Sequence, residues 1–217
     1  MTADLHICID LALSDENSAR ENNSLAIQIR NAYGVIRKSE IPVALHLASL
    51  APGGCIAEVI AKQNCDAWHI HRHAEDVEDA FAPSELVFLS PDADEPLDAV
   101  VPGKVYVIGG VVDKNIKRKI TLGKAQEHDI PAYRLPVREI FPSCRNTVLN
   151  VDSVVQALCV FAAHRDWQVA LRGCVPLRKL SADAAAALGA EQGGRWRRRK
   201  EKEQQIKLRD ECRKSGG

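Results

Sequence analysis

KVYVIGGVVDKNIKRK, Lys104 to Lys119, is the stretch on which the fold turns. Val105 to Ile108 is a short apolar run of the kind found in strands covered on both faces. Gly109 and Gly110 follow, then the carboxylate of Asp113, then a run of cations. Glycines at the carboxyl end of a strand make a tight turn, or let a ligand or a second backbone come close. The residues alone leave both uses open. Asp113 fits a helix cap for NIKRKITLGKAQ and equally a side chain at the mouth of a cleft. The pattern is neither the G-x-G-x-x-G of a dinucleotide fold nor a P-loop.

Working outward, six runs read as strands: Leu5 to Leu13, Val43 to Leu47, Asp66 to His71, Glu85 to Ser90, Lys104 to Gly109 and Pro131 to Pro136. Helical spacing lies between most of them. SLAIQIRNAYGVIRK places Leu25, Ile29, Ala32 and Ile36 on one face. NIKRKITLGKAQEH follows the fifth strand. VDSVVQALCVFAAH and DWQVALRGCV close the folded part, with Asp152 or Asp166 as candidate caps. Buried strands alternating with helices predict an α/β fold with a mainly parallel sheet and helices on both faces.

The 217 residues suit one large domain, or a domain plus a tail, and 46% hydrophobic residues supply a core. No apolar run approaches the roughly 20 residues of a membrane helix. MTADLHICIDLAL lacks a signal peptide's charged and apolar regions, and the expected location is cytoplasmic or nuclear. The seven cysteines form no C-x-x-C pair, so reduced, buried thiols are expected. The net charge of zero hides an asymmetry. Residues 195–217 carry +6 and the remainder −6, while Ala74 to Val101 holds nine acids and no Lys or Arg. The cationic surface is therefore local. Residues 181–217 read as an Ala/Gly linker and a basic tail, beyond a domain of residues 1–180.

VYVIGGVVDKN, then KITLGKAQEHDIPAYRLPV, then TVLNVDSVVQAL, RDWQVAL and VPLRK, resemble the tRNA position-9 purine N1-methyltransferases of the SPOUT superfamily. CIDLALSDENSARENNSLAIQIRNAYGVIRKSEIPVALHL resembles that family's opening strand with its Asp, its Gln/Arg/Tyr-bearing helix and its basic pair before a Pro. The resemblance implies a SPOUT-type sheet with a C-terminal trefoil knot, S-adenosylmethionine as methyl donor, tRNA as substrate, no metal, and a monomer. The implied cofactor positions are Leu89 or Ser90, Gly109, Gly110, Lys114, Asn115, Ile116, Lys117, Arg118, Thr121, Leu135, Val148, Leu149 and Asn150.

Methyl transfer from a sulfonium is an in-line displacement whose rate comes largely from alignment. Guanine N1 carries a proton at neutral pH, so a carboxylate within reach serves as general base. Adenine N1 needs no base, but its product is cationic and a carboxylate stabilises it. The resemblance makes Asp113 the proton acceptor. Asp10, at the end of ICID, and Asp152, in LNVDSVVQAL, are the assisting candidates. Many guanine-type relatives look to have Asn at the position of Asp152, whereas an aspartate there resembles relatives that methylate adenine or both purines, which keeps adenine or dual specificity open beside guanine.

HIHRH would place His69, His71 and His73 on one face if the strand ran through it. The surrounding residues offer no obvious second shell, so a polar strand end is the expectation. Arg30, Arg37, Lys38, Lys117, Arg118 and Lys119 are the candidate phosphate contacts, with Lys114, Arg178 and Lys179 beside them. Relatives carry a basic segment before the domain. Here the basic tail is the expected substitute, with a partner protein as the alternative. The rival functions are a partner-dependent tRNA-binding subunit and a SPOUT enzyme acting on another RNA.

Overall fold

Six strands pair side by side, every pair parallel, in the order β3-β2-β1-β5-β4-β6. They are β1 (Leu5–Asp10), β2 (Val43–Ala48), β3 (His71–Arg72), β4 (Leu86–Leu89), β5 (Val105–Gly109) and β6 (Ala132–Tyr133). The helices are α1 (Ala19–Ile36), α2 (Cys55–Ala61), α3 (Val77–Ala80), α4 (Ile120–Glu127), α5 (Val137–Ile140), α6 (Val151–His164) and α7 (Trp167–Arg172). The computed structural model describes residues 5–111, 120–144, 146–176, 179–181 and 186.

Alternation along the strands sorts the sheet into two faces. Leu5, Ile7 and Ile9 of β1 meet Tyr106 and Ile108 of β5 in the larger core, with Leu25 and Ile29 of α1 and Val155 and Leu158 of α6. Cys8, Val105 and Val107 face the other way, toward Val77 of α3 and Ala125 of α4. A third cluster joins α5, α6 and α7 through Val137, Ala157 and Leu171. The predicted parallel sheet with helices on both faces is what the chain forms. The knot implied by the resemblance depends on a chain path that includes residues outside the described set.

One predicted strand is displaced. Asp66 to His71 does not run as a strand: Cys65–Ala67 is a 3-10 turn, and β3 is only His71–Arg72. Asn64 at φ 58° turns the chain there. Trp68 stacks on Tyr33 of α1, and Ile70 packs on the larger core, so these residues find burial without sheet pairing.

Of the two candidate caps, one caps its helix. Asp166 caps α7 by accepting from the backbone of Gln168 and Val169. Asp152 caps nothing in that sense, because Asn150 holds the cap position of α6 and Asp152 lies in its first turn. Ser18 and Glu21 form a reciprocal capping box at α1, a pattern present in the sequence as S-A-R-E. Among the described residues no helix is long and apolar enough to cross a membrane.

Candidate functional site

In a parallel sheet the ligand crevice lies beyond the carboxyl ends of the strands, where the order reverses direction. Here that point falls between β1 and β5, at Asp10 and Gly109, which are register partners. The ladder runs one step further, with Gly110 N–H donating to the Asp10 carbonyl at 2.8 Å.

The two glycines look to opposite sides. A Cβ on Gly109 would lie 2.4 Å from Thr121 Oγ1 of α4. One on Gly110 would lie 2.8 Å from the Asp10 carbonyl and 3.2 Å from the side chains of Leu11 and Leu25. At both glycines the missing side chain makes room for the protein itself.

Asp10 shares its face with Cys8, and its side chain turns toward α4. Its Oδ1 accepts from Ala12 N–H at 3.0 Å, with the Ser49 hydroxyl 3.4 Å away and donating to Asp76 at 2.5 Å. Its Oδ2 pairs with Lys124 Nζ at 2.9 Å. Lys124 also lies 3.1 Å from Glu78 Oε2 of α3, and Glu78 Oε1 lies 3.3 Å from His128 Nε2. The Lys124 and Glu78 side chains are 18% and 15% exposed, so this network is largely out of water. Burial works against the Lys124 ammonium, but Asp10 and Glu78 outweigh it and raise its pKa. Neither Lys124 nor Glu78 was among the sequence candidates, since nothing local to either residue signals its partner.

Asp152 lies on the other side of the sheet. Its Oδ2 accepts from Asn31 of α1 at a long 3.4 Å, and its Oδ1 from Ser153 N–H at 3.1 Å. Beside it, the α1 residue Gln28 accepts from Val151 N–H at 3.0 Å, satisfying an otherwise unpaired donor at the start of α6. The two assisting carboxylates therefore do not converge; the sheet lies between them.

The expected cofactor residues divide in the same way. Leu89 joins the α1/α6-side core, and Leu135 packs both on it and on the third cluster, where Leu149 also lies. Val148 accepts from Lys179 Nζ, so that cation is engaged within the chain. Asn150 precedes α6 directly. Ser90 is buried, donates its N–H to the Tyr133 carbonyl at 2.9 Å, and accepts from Asp92 N–H with its hydroxyl. Gly109 and Thr121 meet each other on the α4 side. Asp113, Lys114, Asn115, Ile116, Lys117, Arg118 and Lys119 lie outside the described residues.

Of the expected phosphate contacts, Arg30, Arg37 and Lys38 are exposed along α1 and its end. Arg30 and Arg37 are seven positions apart and so share a helix face. Arg30 donates to Gln63 at 2.9 Å and adjoins Asn31, the partner of Asp152. Arg134 of the RLP element makes a paired bond to Glu139 at 2.8 and 2.7 Å. That bond lowers the pKa of Glu139.

The histidines assemble differently from the HIHRH expectation. His71 and His73 join His46 of β2 and His6 of β1, whereas the backbone of His69 bonds Tyr33. His46 holds both ring nitrogens against imidazoles, at 3.2 Å from His6 and 3.1 Å from His73. Burial, then the neighbouring His71, His73 and His6, push its pKa down to about 3. Among the described residues no group of three or more His, Cys, Asp or Glu is arranged to hold a metal ion.

A family model for the tRNA (guanine(9)-N(1))-methyltransferase TRM10/TRM10A matches residues 1–180. The chain is 33% identical over 181 residues to tRNA methyltransferase 10 homolog B of Bos taurus, covering 80% of this chain and 57% of that protein. It is 30% identical over 185 residues to the tRNA (guanine(9)-N1)-methyltransferase of Eremothecium gossypii, covering 82% and 60%. The chain thus spans little more than half the length of these relatives. The crystal structure of full-length spTrm10 with SAH is similar at a TM-score of 0.72 and 26% identity, covering 81% of this chain and 97% of that one.

Proposed function

Since the chain belongs to the TRM10/TRM10A family of tRNA (guanine(9)-N(1))-methyltransferases, we propose that it methylates N1 of the purine at position 9 of tRNA. The observation that carries this reading is the family match across residues 1–180. S-adenosylmethionine is the proposed methyl donor, supported by the SAH held in the spTrm10 structure. When bound, it supplies an electrophilic methyl on sulfur.

Its proposed place is the α6 side of the sheet, where several of the expected cofactor residues lie. Leu89, Leu135 and Leu149 are the proposed apolar contacts for it. Gly110 has no spare room for a ligand at its Cβ position, so its part is to let β1 and β5 close together. Asp113 follows that glycine by three positions. It is the proposed acceptor of the guanine N1 proton. Arg30, Arg37 and Lys38 are the proposed phosphate contacts, with the basic tail adding attraction. The chain is proposed to act as a monomer.

Guanine is the favoured base. Adenine, or both purines, is the second reading, supported by Asp152 in the first turn of α6, where a carboxylate suits a cationic product.

The test is methyl transfer to two tRNA transcripts that differ only as G or A at position 9. Wild type turns over at least one, and Asp113→Asn loses roughly 100-fold or more on G9. S-adenosylmethionine binding without turnover on either transcript would move the assignment to a partner-dependent tRNA-binding subunit. Turnover confined to bulk RNA would move it to another RNA substrate.

A further inference from the structure

We propose that Asp10 serves the reaction through Lys124: the two residues, with Glu78, form a clamp that fixes α4 on the carboxyl edge of the sheet. The inference rests on the methyltransferase reading and names positioning residues for that same site. Lys124 is then a positioning residue, and Asp10 is its anchor.

The geometry points this way on three counts. First, Asp10 faces α4, whereas Leu89, Leu135, Leu149 and Asp152 lie on the α1/α6 side. Second, both Asp10 oxygens are engaged within the protein, Oδ1 by Ala12 N–H and Oδ2 by Lys124. Only 9% of the residue is exposed, so a substrate proton would have to displace one of these donors. Third, Lys124 lies one helical turn after Thr121, the residue that fills the space beside Gly109. α4 is therefore held at two successive turns, by Thr121 on β5 and by Lys124 on β1.

Glu78 adds the third element. It lies within ion-pair distance of Lys124 in the last turn of α4 and of His128 just beyond it, so α3 is tied to the end of α4. The chain that carries Asp113 leaves β5 at Gly110 and enters α4 at Ile120. α4 is thus the described element that follows the Asp113 stretch in the chain, and the clamp holds that element.

A double-mutant cycle on the full chain tests the proposal, with kcat, KM and the pH–rate profile measured on a position-9 transcript. Asp10→Asn keeps an acceptor for Ala12 N–H and removes the charge. Asp10→Asn and Lys124→Met each lower kcat by roughly tenfold, as small misplacements of a reacting group do, with smaller changes in KM. The double variant is no slower than Lys124→Met alone, because both act through one contact. Lys124→Arg recovers most of the rate, and the acidic limb of the pH–rate profile survives in Asp10→Asn. Multiplicative losses, or an acidic limb that vanishes in Asp10→Asn, would overturn the clamp and make Asp10 a proton acceptor.

Lys124→Met leaves buried carboxylates unbalanced, and a failure to fold would remove it from the cycle. Asp10→Asn against Glu78→Gln then decides. Losses within about threefold of each other support the clamp, and a loss of about 100-fold confined to Asp10→Asn overturns it. If wild type shows no turnover, the methyltransferase reading fails separately. Amide exchange across 120–127 then tests the clamp: acceleration in both Asp10→Asn and Glu78→Gln supports it, and unchanged exchange overturns it.

Discussion

The two sides of the sheet meet its carboxyl edge in opposite ways. On the α4 side, polar groups are paired inside the protein: Asp10 bonds Lys124, Glu78 lies within ion-pair distance of Lys124 and His128, and His46 meets two imidazoles. On the α1/α6 side β1, β2, β4 and β5 line the larger core with Leu, Ile, Val and Tyr106, and at the rim Asp152 holds Asn31 loosely beside the exposed Arg30. A buried charge must be paired to persist, whereas a rim charge stays available to a ligand. The α4 side thus reads as scaffold and the α1/α6 side as the working surface.

The glycine pair gives the largest expected contrast in stability. Gly110→Ala puts a methyl 2.8 Å from the Asp10 carbonyl, a backbone atom already fixed in the β1/β5 ladder. The clash has no side chain to relieve it, and a cost of about 1–3 kcal/mol is expected from overpacking. The nearest atoms to a Gly109→Ala methyl all belong to the Thr121 side chain. That substitution should cost less, and Thr121→Ala in the same chain should restore the thermal midpoint. Rescue of Gly110→Ala by that same partner would break the distinction between the two faces.

The imidazole cluster sharpens the contrast through pH. His46 titrates at about 3 in the fold against an ordinary 6.5. The unfolded chain therefore takes up a proton that the folded chain refuses. Stability is complete above 6.5 and falls as pH drops toward 3, by up to about 1.4 kcal/mol per pH unit from this group. Denaturant midpoints at pH 7.5 and 5.5 should differ in wild type and differ less in His46→Leu. An equal difference in both would show that other groups carry the acid response.

Much of this was legible in the chain itself. LHICID alternates, so that His6, Cys8 and Asp10 share a face, and VYVIG reads as the fully buried strand it is. The parallel sheet followed from such runs alternating with helical spacing. Trp68 and Ile70 misled because strand-like residues can also be buried by stacking on a helix. The clamp was invisible because Lys124 and Asp10 are 114 positions apart, and nothing near either residue reports the other. The division of Asp10 from Asp152 was hidden for the same reason: only the assembled sheet assigns its two faces.

Asp152→Asn carries the smallest expected stability change and the sharpest test of the working surface. The carboxylate lies in the first turn of α6, where a negative charge gains about 0.3–1 kcal/mol from the helix dipole. Its bond to Asn31 is long, and an asparagine can still accept there. The thermal midpoint should therefore move little. The ratio of turnover on A9 to G9 transcripts should fall by roughly tenfold, because a carboxylate near a forming cation stabilises it and an amide does so less. An unmoved ratio would make Asp152 a helix-dipole residue alone. The α1/α6 side would then differ from the α4 side in packing rather than in chemistry, and base choice would have to come from elsewhere in the chain.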